Sequence, residues 1–301
     1  LDNIRQAFPE HSAEWHKHLQ RACYDNLALT LLEVMMFPHL TPSETRSMVE
    51  FRNLHLIEDE YQHKRGIVLL SGHFGNWELV AFALPLVVDL PISVVITEQT
   101  NKYLNDLLRW YRTRTGNTLI RMDNAARHII STLKRGEAIA MLADQAATPE
   151  TDVFVPFFGR LACTYEAPAV LSLRYNAPLI VGFAERMSNG RYVVELQKIP
   201  HEDLRADQDG IYHLTCRHVA ALERMIRKRP ELWSWQHKRW KHTPPSSAKQ
   251  SLSQYSQQQP SPVAAPSSIG TASVGIAYDA HSNKQLGEYR ATLSTTTHFE
   301  H

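Results

Sequence analysis

His73 and Glu78 stand five residues apart in "SGHFGNWE" (residues 71–78), between the apolar run "GIVLL" and a stretch of helical character. A histidine whose ring is held by a carboxylate keeps one tautomer, and its other nitrogen is free to take a proton. The chemistry on offer is general-base catalysis. The spacing alone also fits a strand-capping histidine beside a glutamate paired with a nearby cation, and such pairs are common. The surroundings favour the catalytic reading. Gly72 and Gly75 permit a sharp turn, and Asn76 is placed to cap the following helix. No G-x-S-x-G occurs in the chain, so a serine hydrolase would lack its nucleophile elbow; Ser71 is close by but outside any such motif.

Further along, Arg109 and Arg112 share one face of a helix expected over 102–115, with Arg114 two residues on. They read either as a solvated basic face or as cations serving a site. "ADQ" (143–145) closes an expected strand, which brings Asp144 and Gln145 to the carboxyl edge of a sheet. Asp144 there could order an arginine, bind a substrate or simply form a turn. Cys23, Cys163 and Cys216 are far apart with no C-x-x-C, and there is no H-E-x-x-H. That pattern is neither a disulfide framework nor a zinc site, fits a reducing compartment, and calls for no metal or other cofactor.

These residues need a scaffold, and the chain supplies alternating elements. Residues 12–37, 42–49, 78–87, 102–115, 124–135, 166–176 and 210–228 read as helices. The second of them has the Thr-Pro-Ser-Glu pattern of a helix N-terminus. Strands are expected at 49–53, 66–71, 92–97, 117–121, 137–143, 178–186 and 191–199. Apolar strands separated by helices predict an α/β architecture, a mainly parallel mixed sheet flanked by helices. His73 would then sit at the carboxyl end of a strand, where ligands of open α/β sheets bind. Glu78 would fall in the first turn of the next helix, where the dipole favours its ionised form.

The chain has 301 residues, 43% hydrophobic, with a formal charge of +1, which excludes a strongly basic nucleic-acid binder. No apolar stretch reaches the roughly 18–20 residues needed to span a bilayer. From Thr243 the composition turns to Ser, Gln, Pro and Ala, so 1–242 is expected to be the folded domain and 243–301 a disordered tail. "FVPFFG" (154–159) is core by composition, or in a lipid enzyme an acyl channel or interface. "WSWQHKRWKH" (233–242) interleaves tryptophans with cations, which suits packing or a membrane boundary equally.

"GHFGNWE" resembles the signature of the bacterial lipid A late acyltransferases, the lauroyl and myristoyl transferases of endotoxin synthesis. "IRQAFPE" (4–10), "LADQAATPETDVFVPFFGRLACT" (142–164), "APLIVGFAER" (177–186) and "PELWSWQHKRWK" (230–241) follow in the family's order. The resemblance covers about residues 1–242. It implies a fold akin to the glycerophosphate acyltransferases, with His73 as base and Glu78 holding its ring. Arg112, Asp144, Gln145 and Asn76 would bind substrates. By their place at a helix start alone, the backbone N–H groups around Gly75 to Trp77 are candidates to face the oxyanion. The implied donor is an acyl carrier protein or acyl-CoA thioester, and the acceptor a lipid A precursor or related glycolipid. The implied place is the cytoplasmic face of an inner membrane, with a membrane helix ahead of Leu1. One segment departs from the pattern: many members carry Tyr-Arg-Pro where this chain has "ITEQTN", Thr97 replacing a charged residue. That implies a different recognition of acceptor phosphates. An acyl-CoA-dependent phosphatidylinositol-mannoside-type acyltransferase, and a non-catalytic lipid-binding protein on the same fold, are the alternatives.

Overall fold

In the computed structural model, which describes residues 1–98, 100–122 and 125–246, the apolar runs of the sequence pair into one six-stranded sheet and two smaller ones. The helices are α1 (Asp2–Ala7), α2 (Ala13–Met36), α3 (Pro42–Met48), α4 (His55–Gln62), α5 (Trp77–Val88), α6 (Lys102–Arg114), α7 (Ala125–Lys134), α8 (Ala167–Tyr175) and α9 (Gln208–Lys228). The strands are β1 (Val49–Arg52), β2 (Ile67–Ser71), β3 (Ile92–Ile96), β4 (Thr118–Arg121), β5 (Ala138–Leu142), β6 (Val153–Phe157), β7 (Arg160–Thr164), β8 (Leu179–Val181), β9 (Ala184–Arg186), β10 (Tyr192–Glu195) and β11 (Gln197–Ile199).

The large sheet runs β11-β8-β2-β5-β3-β4, parallel throughout except for β11 at one edge. Because side chains alternate along a strand, β2 feeds two cores. Val68 and Leu70 join a cluster with α7, α8 and α9, while Ile67 and Leu69 join another with α5. Both faces are covered, so the strand is apolar at four successive positions. The expected α/β class, with a sheet flanked by helices, is what the chain forms. β5 enters between β2 and β3, so the carboxyl ends of β2 and β5 lie side by side with Ser71 opposite Leu142. That neighbourhood builds the site.

Two expected strands divide. Residues 178–186 become β8 in the large sheet and β9 in a three-stranded sheet with β10 and β1, and 191–199 become β10 and β11 in the same way. Gly182 lies at the first break, where a Cβ would meet Leu196 and Val194 at 2.9 and 3.0 Å. α4, too short to show a strong period, and the β6–β7 hairpin were not among the expected elements. The hairpin turns on Phe158 and Gly159, both at positive φ, as a two-residue turn requires. Phe158 tolerates that conformation because Glu223 accepts its N–H at 2.7 Å and the Arg227 guanidinium sits over its ring at 4.5 Å. Phe154, Phe157 and Phe158 are all buried, so "FVPFFG" is core. The Thr41 capping box on α3 forms as its pattern predicts. The expectation for the tail falls, from residue 247 on, outside the described residues.

Candidate active site

The loop after β2 is held on every side. Gly75 takes φ +58°, and a Cβ there would lie 1.8 Å from the Ala184 carbonyl oxygen, so only glycine fits. Its N–H donates to the Leu232 carbonyl at 2.8 Å, Ser234 N–H donates to the His73 carbonyl at 2.9 Å, and Phe74 bridges Trp233. The Gly75 N–H is thereby committed and does not face an oxyanion as its place at the helix start suggested. Asn76 caps α5, accepting from Leu79 N–H at 2.9 Å, and its amide donates to Glu33 at 2.7 Å. Buried and bonded at both ends, Asn76 shapes the loop; it is not among the residues lining the neighbouring cavity.

His73 and Asp144 each lie two residues beyond the paired ends of β2 and β5. Their contact follows from that register. His73 Nδ1 lies 2.8 Å from one Asp144 oxygen, and the other oxygen accepts the His73 backbone N–H at 2.8 Å and the Trp233 indole N–H at 2.9 Å. Gly72 leaves room for this: a Cβ would sit 3.2 Å from the carboxylate. Burial alone would raise the Asp144 pKa, but the His73 charge and three hydrogen bonds hold it below the usual carboxylate range. An ionised carboxylate can only accept, so the proton of the neutral ring sits on Nδ1 and Nε2 is left as the base. For His73, burial alone would lower the pKa; the Asp144 charge and hydrogen bond, with a smaller push from Glu78, more than offset it and raise it.

The ring contact expected of Glu78 is therefore made by Asp144. Glu78 leaves the first turn of α5 toward α6, where it accepts from Arg112 Nε at 3.0 Å, Arg112 Nη2 at 2.5 Å and the Tyr111 hydroxyl at 2.9 Å. The fork is bidentate, which fixes the guanidinium plane. Burial pushes the Tyr111 hydroxyl up, and the Glu78 charge adds to it. Burial would lower the Arg112 pKa, but Glu78 overrides it and raises it.

His73, Glu78, Arg112 and Gln145 all line one cavity of about 1080 Å³, whose other walls are mostly apolar, among them Leu69, Leu84, Val94, Ile129 and Leu171. That is just above the roughly 300–1,000 Å³ of small-molecule clefts. Arg112 and Gln145, singled out in the sequence, both lie on its wall. Asp144 is 3% exposed with both oxygens engaged, so it faces His73 rather than a ligand. Arg109 pairs instead with Glu98, away from Glu78. Ser71 donates its hydroxyl to the Gly182 carbonyl at 2.7 Å. The three thiols are buried, and burial pushes Cys216 up to about 12.

Tyr111 and Trp233 were not singled out for the site by sequence. Tyr111 adjoins Arg112 and could have been found by that. Trp233, Trp235 and Arg239 are buried, so these side chains of "WSWQHKRWKH" pack inside around the loop, whereas Lys238 and Lys241 are exposed. Among the described residues no cluster of three or more His, Cys, Asp or Glu is placed to hold a metal ion, and no helix is long and apolar enough to cross a membrane.

Comparison with known proteins identifies the family. The sequence profile of the family described as bacterial lipid A biosynthesis acyltransferase matches residues 1–242. The chain is 24% identical over 251 residues to a lipid A biosynthesis palmitoleoyltransferase of Escherichia coli (strain K12), covering 80% of this chain and 78% of that protein. It is also 24% identical over 242 residues to a lipid A biosynthesis lauroyltransferase of the same strain, again covering 80% and 78%. An α/β sheet edge with a His73–Asp144 pair, a Glu–Arg fork and an apolar cavity thus comes with a matching sequence profile. The chain is an acyltransferase and belongs to the bacterial lipid A biosynthesis acyltransferase family.

Proposed function

We propose that the chain moves a fatty acyl group from the thioester of an acyl carrier protein to a hydroxyl of a lipid A precursor. His73 Nε2 takes the proton of the acceptor hydroxyl as its oxygen attacks the thioester carbonyl carbon. Asp144 keeps the Nδ1–H tautomer and stabilises the imidazolium that forms. The C–S bond then breaks, and the imidazolium gives its proton to the departing thiolate, with no acyl-enzyme. Arg112, locked by Glu78, binds substrate at the cavity wall and favours the negative charge developing on the carbonyl oxygen. Gln145 contacts the acceptor, and the apolar walls take the acyl chain. With a membrane lipid as acceptor, the protein works at the cytoplasmic face of an inner membrane.

What supports this is the His73–Asp144 pair and the Glu78–Arg112 fork on one apolar cavity. The test is acylation of a purified lipid A precursor, with acyl carrier protein or CoA supplying the chain in separate reactions and products read by mass spectrometry. His73→Ala should lose about 10²–10⁴ in rate. A His73→Ala rate near that of the unaltered protein would overturn the base, and transfer from CoA alone would overturn the donor.

A further inference from the structure

The second half of α2 is turned inside out. In a surface helix the apolar stripe faces the core and the polar side faces water. Here the polar side chains face inward: Asn26 donates to the Leu232 carbonyl at 3.4 Å, Thr30 to the Gly75 carbonyl at 3.1 Å, and Glu33 accepts from Asn76 and Tyr192 at 2.7 Å and from Arg186 at 2.5 Å. The apolar side chains face out: Leu31, Leu32, Met35 and Met36 are all more than half exposed, Met35 at 69%. α6 repeats the pattern. Tyr111 is buried, whereas Tyr103, at 87%, and Leu104, Leu107 and Trp110 are exposed at helical spacing.

The end of α6 meets the segment that follows α2. Arg114 at the end of α6 donates to the Pro38 carbonyl at 2.5 Å, just past the end of α2, and stacks over Trp110 at 5.4 Å. Both also border the catalytic cavity, Leu31 and Val34 from α2 and Leu104 and Leu108 from α6. The exposed apolar side chains are therefore continuous with the apolar wall of the cavity. α6 exposes Lys102, Arg109 and Arg114 against a single Asp106, an excess of cations on the same element even with Arg109 paired to Glu98. Aromatic and aliphatic side chains fringed by cations match the boundary of a bilayer with anionic head groups.

We propose that the outward faces of α2 and α6 form one docking surface for an anionic lipid bilayer, seating the mouth of the acyl cavity on the membrane. The proposal rests on the lipid-acylation reading for its purpose, but Leu32, Met35, Tyr103 and Trp110, which carry it, lie outside the cavity and touch no catalytic group. Because the inner side of α2 is bonded to the loop that carries His73, docking fixes the catalytic loop relative to the lipid surface.

The test uses the full chain and vesicles of phosphatidylethanolamine with phosphatidylglycerol, with phosphatidylcholine vesicles as the uncharged control, read by co-sedimentation. The pairs Leu32→Glu with Met35→Glu, and Tyr103→Glu with Trp110→Glu, change only exposed side chains that do not line the cavity. The unaltered protein and His73→Ala should bind the anionic vesicles alike, and each pair should weaken binding by about tenfold or more, as two added negative charges at the surface require. Turnover on donor and acceptor dispersed in detergent should be unchanged in both pairs and lost in His73→Ala. Acylation by the unaltered protein with undiminished vesicle binding by both pairs would overturn the docking surface alone. Vesicle binding without acylation would overturn the functional reading alone. A concentration-dependent dimer abolished by the same pairs, with no vesicle binding, would show a second copy as the occupant and also overturn the proposal.

Discussion

Asp144→Asn changes one atom, and its consequence can be worked out from the donors around it. Three N–H groups converge on the Asp144 carboxylate: His73 Nδ1 on one oxygen, and the His73 backbone and Trp233 indole on the other. An asparagine has one oxygen and one NH2 to offer. With its oxygen toward the ring, its NH2 opposes two N–H donors that have nowhere else to turn. With its oxygen toward those two, its NH2 opposes only Nδ1, and the ring can respond by moving its proton to Nε2. The second arrangement satisfies every donor, and it removes the base. We expect the general-base contribution, about 10²–10⁴ in kcat/KM, to vanish, equivalent to about 3–5 kcal/mol of barrier. The pH profile should move as well. In the unaltered protein the base must be neutral, and its pKa is raised above 6.5, so activity rises with pH through that higher value. Asp144→Asn removes the charge that raises it and leaves burial, which lowers it, so the acid limb of any residual activity should shift to lower pH. Steady-state kinetics across pH 5–9, with circular dichroism to show retained folding, would check both. A rate within tenfold of the unaltered protein together with an unmoved acid limb would refute the reasoning.

Gly75→Ala should destabilise the fold by more than about 4 kcal/mol, since a left-handed residue would gain a Cβ 1.8 Å from a backbone oxygen that no rotamer change can move; a loss under about 1 kcal/mol in denaturant unfolding would contradict this. His218 is buried, its pKa pushed down to about 3 by burial and by the Arg239 charge. The unfolded chain then binds a proton that the folded one refuses between about pH 6.5 and 3, so His218 costs stability as pH falls through that window. His218→Gln should flatten the loss by about 1.4 kcal/mol per pH unit there, seen as a smaller acid shift in unfolding midpoint; an unchanged slope would rule it out.

Much of the scaffold is legible because a parallel sheet covered on both faces writes its strands as short apolar runs, and "IVLLS" and "AIAML" are two of them. The order of strands is not written in any local pattern. His73 and Asp144 stand at equal distances past two strands 71 residues apart, and nothing in either segment says that those strands are neighbours. Hence the nearer carboxylate, Glu78, drew the assignment. α2 hides for a different reason. Its residues alternate polar and apolar with helical spacing, so the helix is visible, but periodicity has no sign: it does not say which face looks inward. Only the partners of Asn26, Thr30 and Glu33 supply that.

The five-residue separation of His73 and Glu78 is better understood as a means of serving two partners than one. Gly75 turns the chain through a left-handed residue and Asn76 starts α5 at once, so His73 stays on the sheet edge while Glu78 rides the first helical turn toward α6. A shorter spacing would leave the carboxylate in the turn, and a longer one would carry it round the helix away from Arg112. The spacing thus fixes the distance between a base set by one buried acid and a guanidinium set by another. Because the two carboxylates are separate, the base and the cation can be tuned independently: Asp144 is the main cause of the raised His73 pKa, and Glu78 only a minor one. Loss of Glu78 should then release the guanidinium while leaving the ring tautomer in place, whereas loss of Asp144 does the reverse.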